Sequence, residues 1–180
     1  MLDPDFGIMI SVAMAALLLT AAWRKWRARA DFAAALAAYS VLPHAALPLA
    51  TRLTPALEVA VATGLLVRAT RPTAAVFGCA LMLAYAGAIA INLRRGRRDL
   101  DCGCAGPYDH RPIAPWMVAR NLLLAAALGV VTVPSAERHL GLMDALTIGA
   151  GLASIALLYV AADQLLGKIV PRGAAFRRAS

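Results

Sequence analysis

Charge is scarce in this 180-residue chain: Asp, Glu, Lys and Arg make up 16% of it, against about a quarter of an ordinary soluble domain. With 61% hydrophobic residues, that shortage excludes intrinsic disorder and leaves too few polar groups to cover a water-soluble surface. Cysteine is scarce too, and three of them exclude a disulfide framework, since at most one internal bridge can close. Acidic side chains number ten against 18 Lys and Arg, for a net charge of +8. In a soluble chain that excess would suggest nucleic acid, but the arginines flank apolar runs instead of interleaving with aromatics, which argues against nucleic-acid binding. Also missing are a phosphate-binding glycine loop, a zinc-protease helix and a serine nucleophile elbow.

What the sequence has is long apolar runs. A hydrocarbon core about 30 Å thick takes about 20 such residues in a helix. Five runs approach this: Gly7 to Trp23, Leu53 to Val67, Pro72 to Leu93, Pro115 to Val133 and Met143 to Leu166. No basic residues precede the first and no small-residue cleavage site follows it, so it reads as an uncleaved anchor. Thr54 and Pro55 are expected to open the second. Asp31 to Ala50 is apolar but holds Pro43, His44 and Pro48. A sixth span there would much weaken the bias of basic loop residues to one side, so Phe32 to about Leu42 is expected to form a short interfacial helix instead, capped by Asp31 and ended by Pro43. Ala80, Ala84 and Ala88, and again Ala145, Gly149 and Ala153, fall four apart and suggest small-residue packing faces. The expected fold class is all-α: one polytopic transmembrane helical bundle, residues 1–180, of about five spans plus one interfacial helix.

Charge position orients this bundle. With the N-terminus outside, Arg24, Lys25, Arg27, Arg29, Arg52, Arg94, Arg95, Arg97, Arg98, Arg111 and the C-terminal cations lie inside. Only Arg68, Arg71 and Arg138 lie outside. The same topology gathers Lys25, Glu58, Asn92, Arg120, Asn121 and Asp163 toward the basic face. The connection from Arg94 to Ala114, which carries Asp101-Cys102-Gly103-Cys104, opens there too. Four of them also have a plain structural role. Lys25 and Arg120 can snorkel, Glu58 suits a helix N-terminus, and Asn92 can cap. A Glu58–Arg120 pair would lower the cost of placing either charge deep in the membrane. Cys79, in an apolar span with no charge near, reads as a small hydrophobe.

Cys102 and Cys104, one glycine apart, are the most specific chemical signal. As a redox pair they need close Cα atoms, which Gly103 permits. A strained, exposed bridge of that kind is easily reduced and suits exchange. Arg94, Arg95, Arg97 and Arg98 favour a thiolate, and Asp99 and Asp101 oppose it. A metal site is an alternative, with His110, Asp101 or Asp109 as further ligands, but it lacks a full set. The third reading is a pair with no chemistry in a turn.

The chain resembles the methylamine utilisation MauE family, within the wider MauE/DoxX-like group of small membrane proteins. The likeness rests on Lys25 after the first span, on Phe32, Tyr39 and Pro43, and on Pro55 and Glu58 with Gly64. It continues through Ile91-Asn92-Leu93, Arg95-Gly96-Arg97, Asp101-Cys102-Gly103-Cys104 with Gly106, and Arg120-Asn121. The resemblance implies a multi-pass protein of the bacterial inner membrane with a DoxX-like or vitamin K epoxide reductase-like four-helix core. It implies a role in maturing methylamine dehydrogenase, a periplasmic enzyme whose small subunit carries many disulfides and a tryptophan-derived quinone. The implied partners are that small subunit and a thioredoxin-like protein of the MauD type. Cys102 and Cys104 would be the redox pair of a membrane thiol–disulfide oxidoreductase, with Lys25, Glu58, Asn92, Arg120 and Asn121 in support and quinone as the cofactor class. A non-catalytic assembly subunit and a metal-handling protein are the alternatives. Charge counting puts the cysteines on the cytoplasmic side while the implied client folds in the periplasm. Relay through the bundle, an indirect role and an inverted topology all stay open.

Overall fold

The computed structural model describes residues 4–100, 112–133 and 141–169. Among them, every regular element is a helix: α1 (Pro4–Arg27), α2 (Arg29–Tyr39), a short 3-10 turn (His44–Ala46), α3 (Leu47–Leu66), α4 (Arg71–Arg94), α5 (Pro115–Val131) and α6 (Leu142–Ile169). The expected all-α bundle is what forms. By length and composition, Phe6–Arg27, His44–Leu66 and Arg71–Arg94 can each cross a membrane, while Pro115–Val131 and Leu146–Ala162 are shorter apolar helices. Large side chains such as Phe77, Leu123, Leu157 and Leu158 point outward, as a lipid-solvated bundle requires.

Two boundaries differ from expectation. The second span starts at Leu47 instead of Leu53 and runs through Pro55. Pro48 occupies the first turn, where a missing N–H costs nothing, so it takes the opening role expected of Pro55. Pro55 removes the backbone bond to the Thr51 carbonyl, but neighbouring threonines reinforce the turn: Thr51 Oγ1 donates to Leu47 O at 2.7 Å and Thr54 Oγ1 to Ala50 O at 2.8 Å. The helix is thus long enough to span. The expected interfacial helix begins three residues earlier, at Arg29, with Ala28 before it and no side-chain cap, so Asp31 lies in its first turn. It ends at Ser40, whose left-handed backbone (φ 48°) breaks it before Pro43 is reached.

The alanine ladders are also corrected. Ala80 and Ala84 are exposed and Ala88 is partly buried beside Ile89, while the buried stripe of α4 runs through Ala74, Ala75, Gly78, Met82, Ala86 and Ile89. Gly149 and Ala153 are exposed on α6, and the side chain of Ala145 lies outside the described residues. It is Gly151 that meets α1, where a Cβ would overlap Met9. An alanine-rich helix carries several equivalent small-residue stripes, and only the neighbours select one.

The core is built from Met14, Ala15 and Leu18 of α1, Val61, Ala62 and Leu65 of α3, Ala74, Ala75 and Met82 of α4, and Ala125, Leu128 and Val131 of α5. Close approach is enforced at Gly78, where a Cβ would lie 3.0 Å from Leu128 and 3.1 Å from Val61. A second cluster of Tyr39, Ile89, Leu100, Ile113 and Met117 closes the end where α2, α4 and α5 meet. Arg95 donates to Ser40 O at 3.3 Å there, and Ile113 N donates to Leu100 O at 2.9 Å. The stems on either side of residues 101–111 are thereby pinned together.

Candidate functional site

The polar residues converge on a buried ion pair between α1 and α3. Lys25 lies in the last turn of α1, yet its side chain turns inward, and its ammonium donates to Glu58 Oε1. Glu58 is fully buried, near the middle of α3. Tyr85, on α4, donates its hydroxyl to the same Oε1 at 2.7 Å. The Lys25 ammonium also faces two rings, 5.2 Å from the centre of Tyr85 and 5.6 Å from that of Phe32 on α2. Four helices therefore enclose one cation, with a carboxylate and two π faces in place of its hydration shell. Glu58 Oε2 is buried and has no hydrogen-bond partner among the described residues.

Lys25 separates from its cationic neighbours by helical geometry. Trp23, Trp26 and Arg27 stand at i, i+3 and i+4 on one exposed face, and Lys25 falls on the opposite one. The same run of basic residues thus supplies both a surface and a buried group.

The expected Glu58–Arg120 pair gives way to Lys25–Glu58. Arg120, on α5, is half-buried with its guanidinium 5.4 Å from the Trp116 ring centre. Asn121, next to it, is buried and donates from Nδ2 to Met117 O at 2.9 Å, closing its own helix turn. Neither is brought into hydrogen-bond contact with Glu58 by any described bond.

Asn92 is fully buried two turns from Tyr85 on the same stripe of α4, about 10 Å toward the helix end by rise. It donates from Nδ2 to Ala88 O at 3.1 Å and accepts from Arg97 Nη1 at 3.5 Å. Arg97 reaches it because the helix closes with a Schellman turn: Gly96 N donates to Leu93 O at 3.1 Å and Arg97 N to Asn92 O at 3.1 Å, with Gly96 left-handed at φ 74°. The Arg95-Gly96-Arg97 sequence thus folds a cation back over the carbonyl end of α4.

Cys102 and Cys104 lie outside the described residues, as do Asp101, Asp109 and His110; so does the side chain of Asp163. Cys79 is a free, partly buried thiol packed against the core. Among the described residues, no three His, Cys, Asp or Glu side chains are grouped to hold a metal ion. Tyr85 was missed by sequence reasoning, although a tyrosine in mid-span signals a hydroxyl in need of a partner.

Several apolar helices around a buried, interhelical ion pair define a polytopic helical membrane protein. The chain belongs to the family of methylamine utilisation protein MauE, whose family model matches residues 4–134. It is 35% identical to methylamine utilization protein MauE of Methylophilus methylotrophus over 167 residues, 92% of this chain and 88% of that one. It is 35% identical to that of Paracoccus denitrificans over 159 residues, covering 88% and 86%. For Paracoccus versutus the figures are 36% over 155 residues, covering 86% and 83%. No solved structure matches the chain significantly.

Proposed function

We propose that this chain is an inner-membrane accessory protein of methylamine utilisation that supports maturation of the methylamine dehydrogenase small subunit by thiol–disulfide exchange at Cys102 and Cys104. In that exchange a Cys102–Cys104 disulfide is reduced to two thiols while a dithiol of a thioredoxin-like, MauD-type partner is oxidised to a disulfide. Two electrons and two protons pass from partner to bundle. The observation that carries the reading is the Asp101-Cys102-Gly103-Cys104 sequence within the family match, on a connection whose stems are joined by the Leu100–Ile113 bond. Arg97 supports it, since a cation held near that connection favours thiolate over thiol. Asn92, Arg120 and Asn121 would shape the adjoining end of the bundle.

A quinone, the cofactor class the resemblance implies, would supply a two-electron, two-proton acceptor when bound. Glu58 fits the reduced, quinol form of such a group: its buried Oε2 has no partner among the described residues and can accept a hydrogen bond from a quinol hydroxyl. Lys25 and Tyr85 hold that carboxylate in place from its other oxygen.

The test is client maturation in cells producing the Cys102→Ser, Cys104→Ser or double variant at wild-type levels. Loss of mature, disulfide-bonded small subunit is the expected result. Normal maturation in the double variant would refute the exchange reading and leave a docking subunit without chemistry.

A further inference from the structure

The basic run at the end of α1 carries a second feature that the ion pair does not use. Trp23 and Trp26 are 61% and 46% exposed, unusual for rings of that size unless they meet lipid or a partner. Each is covered by an arginine: the Arg27 guanidinium lies 5.4 Å from the Trp23 ring centre and that of Arg29 5.8 Å from Trp26. Arg24, Arg27 and Arg29 are exposed, and the one nearby anion on these elements, Asp31, is exposed on the following turn. The apolar span Phe6–Arg27 ends here, and Ala28 (φ −113°, ψ 51°) interrupts the helix, so the Trp23–Arg27 pair lies before the break and the Trp26–Arg29 pair spans it.

We propose that Trp23, Trp26, Arg27 and Arg29 form a binding site for the phosphate of an anionic phospholipid headgroup. A guanidinium held over an indole by cation–π attraction still presents N–H groups that can bond a phosphate in bidentate fashion. The indoles lie where ring bodies contact acyl chains near the glycerol level. The occupant is anionic because three exposed cations on these turns outnumber the one exposed carboxylate, and it is lipid because the cations sit at the end of a membrane-length apolar run. The site is independent of the cysteines and of the exchange reaction.

The experiment is tryptophan quenching in full-length protein reconstituted into vesicles with equal mole fractions of brominated phosphatidylglycerol or brominated phosphatidylcholine. A Trp116→Phe background confines the signal to Trp23 and Trp26, since the chain has three tryptophans. The wild-type pair should be quenched preferentially by the phosphatidylglycerol, and the preference should fall about fivefold for each arginine removed in Arg27→Gln and Arg29→Gln. The Arg94→Gln/Arg98→Gln variant, which loses the same charge elsewhere, should keep it. Equal quenching by the two lipids, or equal loss in the Arg94/Arg98 control, would overturn the proposal. So would abolition of the preference by inorganic phosphate, which would assign the site to a soluble anion. Native mass spectrometry of the protein with all three tryptophans gives a second readout: phosphatidylglycerol retained by wild type and lost from Arg27→Gln/Arg29→Gln supports the site, and equal retention refutes it.

Discussion

Lys25 and Glu58, 33 positions apart, meet in the interior as a fully enclosed ion pair, with the Tyr85 hydroxyl as a third member. One contact thus ties α1 to α3 and, through Tyr85, to α4. Each charge alone would cost about 2.5–3.5 kcal/mol at the centre of a membrane helix on insertion scales, so neither position is neutral toward the packing of the other.

The losses from removing each partner should therefore not add. Lys25→Met and Glu58→Met are each expected to destabilise the bundle by about 3–5 kcal/mol, because each strands a buried group. The double variant Lys25→Met/Glu58→Met should lose much less than the sum. Equilibrium unfolding in mixed micelles, analysed as a double-mutant cycle, checks this; additive losses would contradict the pairing.

Tyr85→Phe keeps the ring beside Lys25 and deletes only the hydroxyl. A loss of about 1 kcal/mol is expected, typical of interhelical hydrogen bonds in membranes. In a Glu58→Met background the same change should cost less than in the wild type, which the same unfolding assay reads.

Gly64 faces Ala74 across the short connection between α3 and α4, and an added Cβ would stand 2.8 Å from that of Ala74. Gly64→Ala should cost about 1–3 kcal/mol by overpacking. Gly64→Ala/Ala74→Gly should recover most of it. Gly87→Ala, with nothing within 4 Å, serves as the neutral comparison in a thermal melt.

Gly96 closes α4 at φ 74° with open space around it, so Gly96→Ala is strained by backbone alone, by about 1–2 kcal/mol. Faster hydrogen exchange should be confined to the amides of Gly96 and Arg97, which make the closing bonds. Gly96→Asn should exchange more slowly than Gly96→Ala, since Asn tolerates the left-handed region.

The charge distribution predicts that Cys102 and Cys104 resist a membrane-impermeant thiol reagent on intact spheroplasts in the presence of reductant, and react once the membrane is permeabilised. Labelling before permeabilisation would invert the proposed orientation.

Much of this architecture was legible in the chain. Uncharged runs bounded by arginine marked α1 and α4 closely, and Pro115 marked the start of α5, because a helix in lipid must satisfy its own backbone and carries charge along its length only at a cost. Pro55 misled, since a helix-opening signal and a tolerated interior proline look alike until the Thr51 and Thr54 hydroxyls are seen to support the turn. Lys25, Glu58, Asn92 and Asn121 were recognisable as polar groups in apolar surroundings, but their partners were not.

Composition and hydropathy, then, determined by themselves that the chain is a helical membrane bundle, because the cost of exposing backbone and charge to lipid is local and additive along the sequence. Only the tertiary structure decided that Lys25 turns inward to Glu58 while Arg24 and Arg27 face out, that Tyr85 joins them, and that α4 packs through Gly78 and Ala86 instead of Ala80 and Ala84. Those choices depend on which helix lies opposite, and a pair 33 residues apart leaves no local trace of having met.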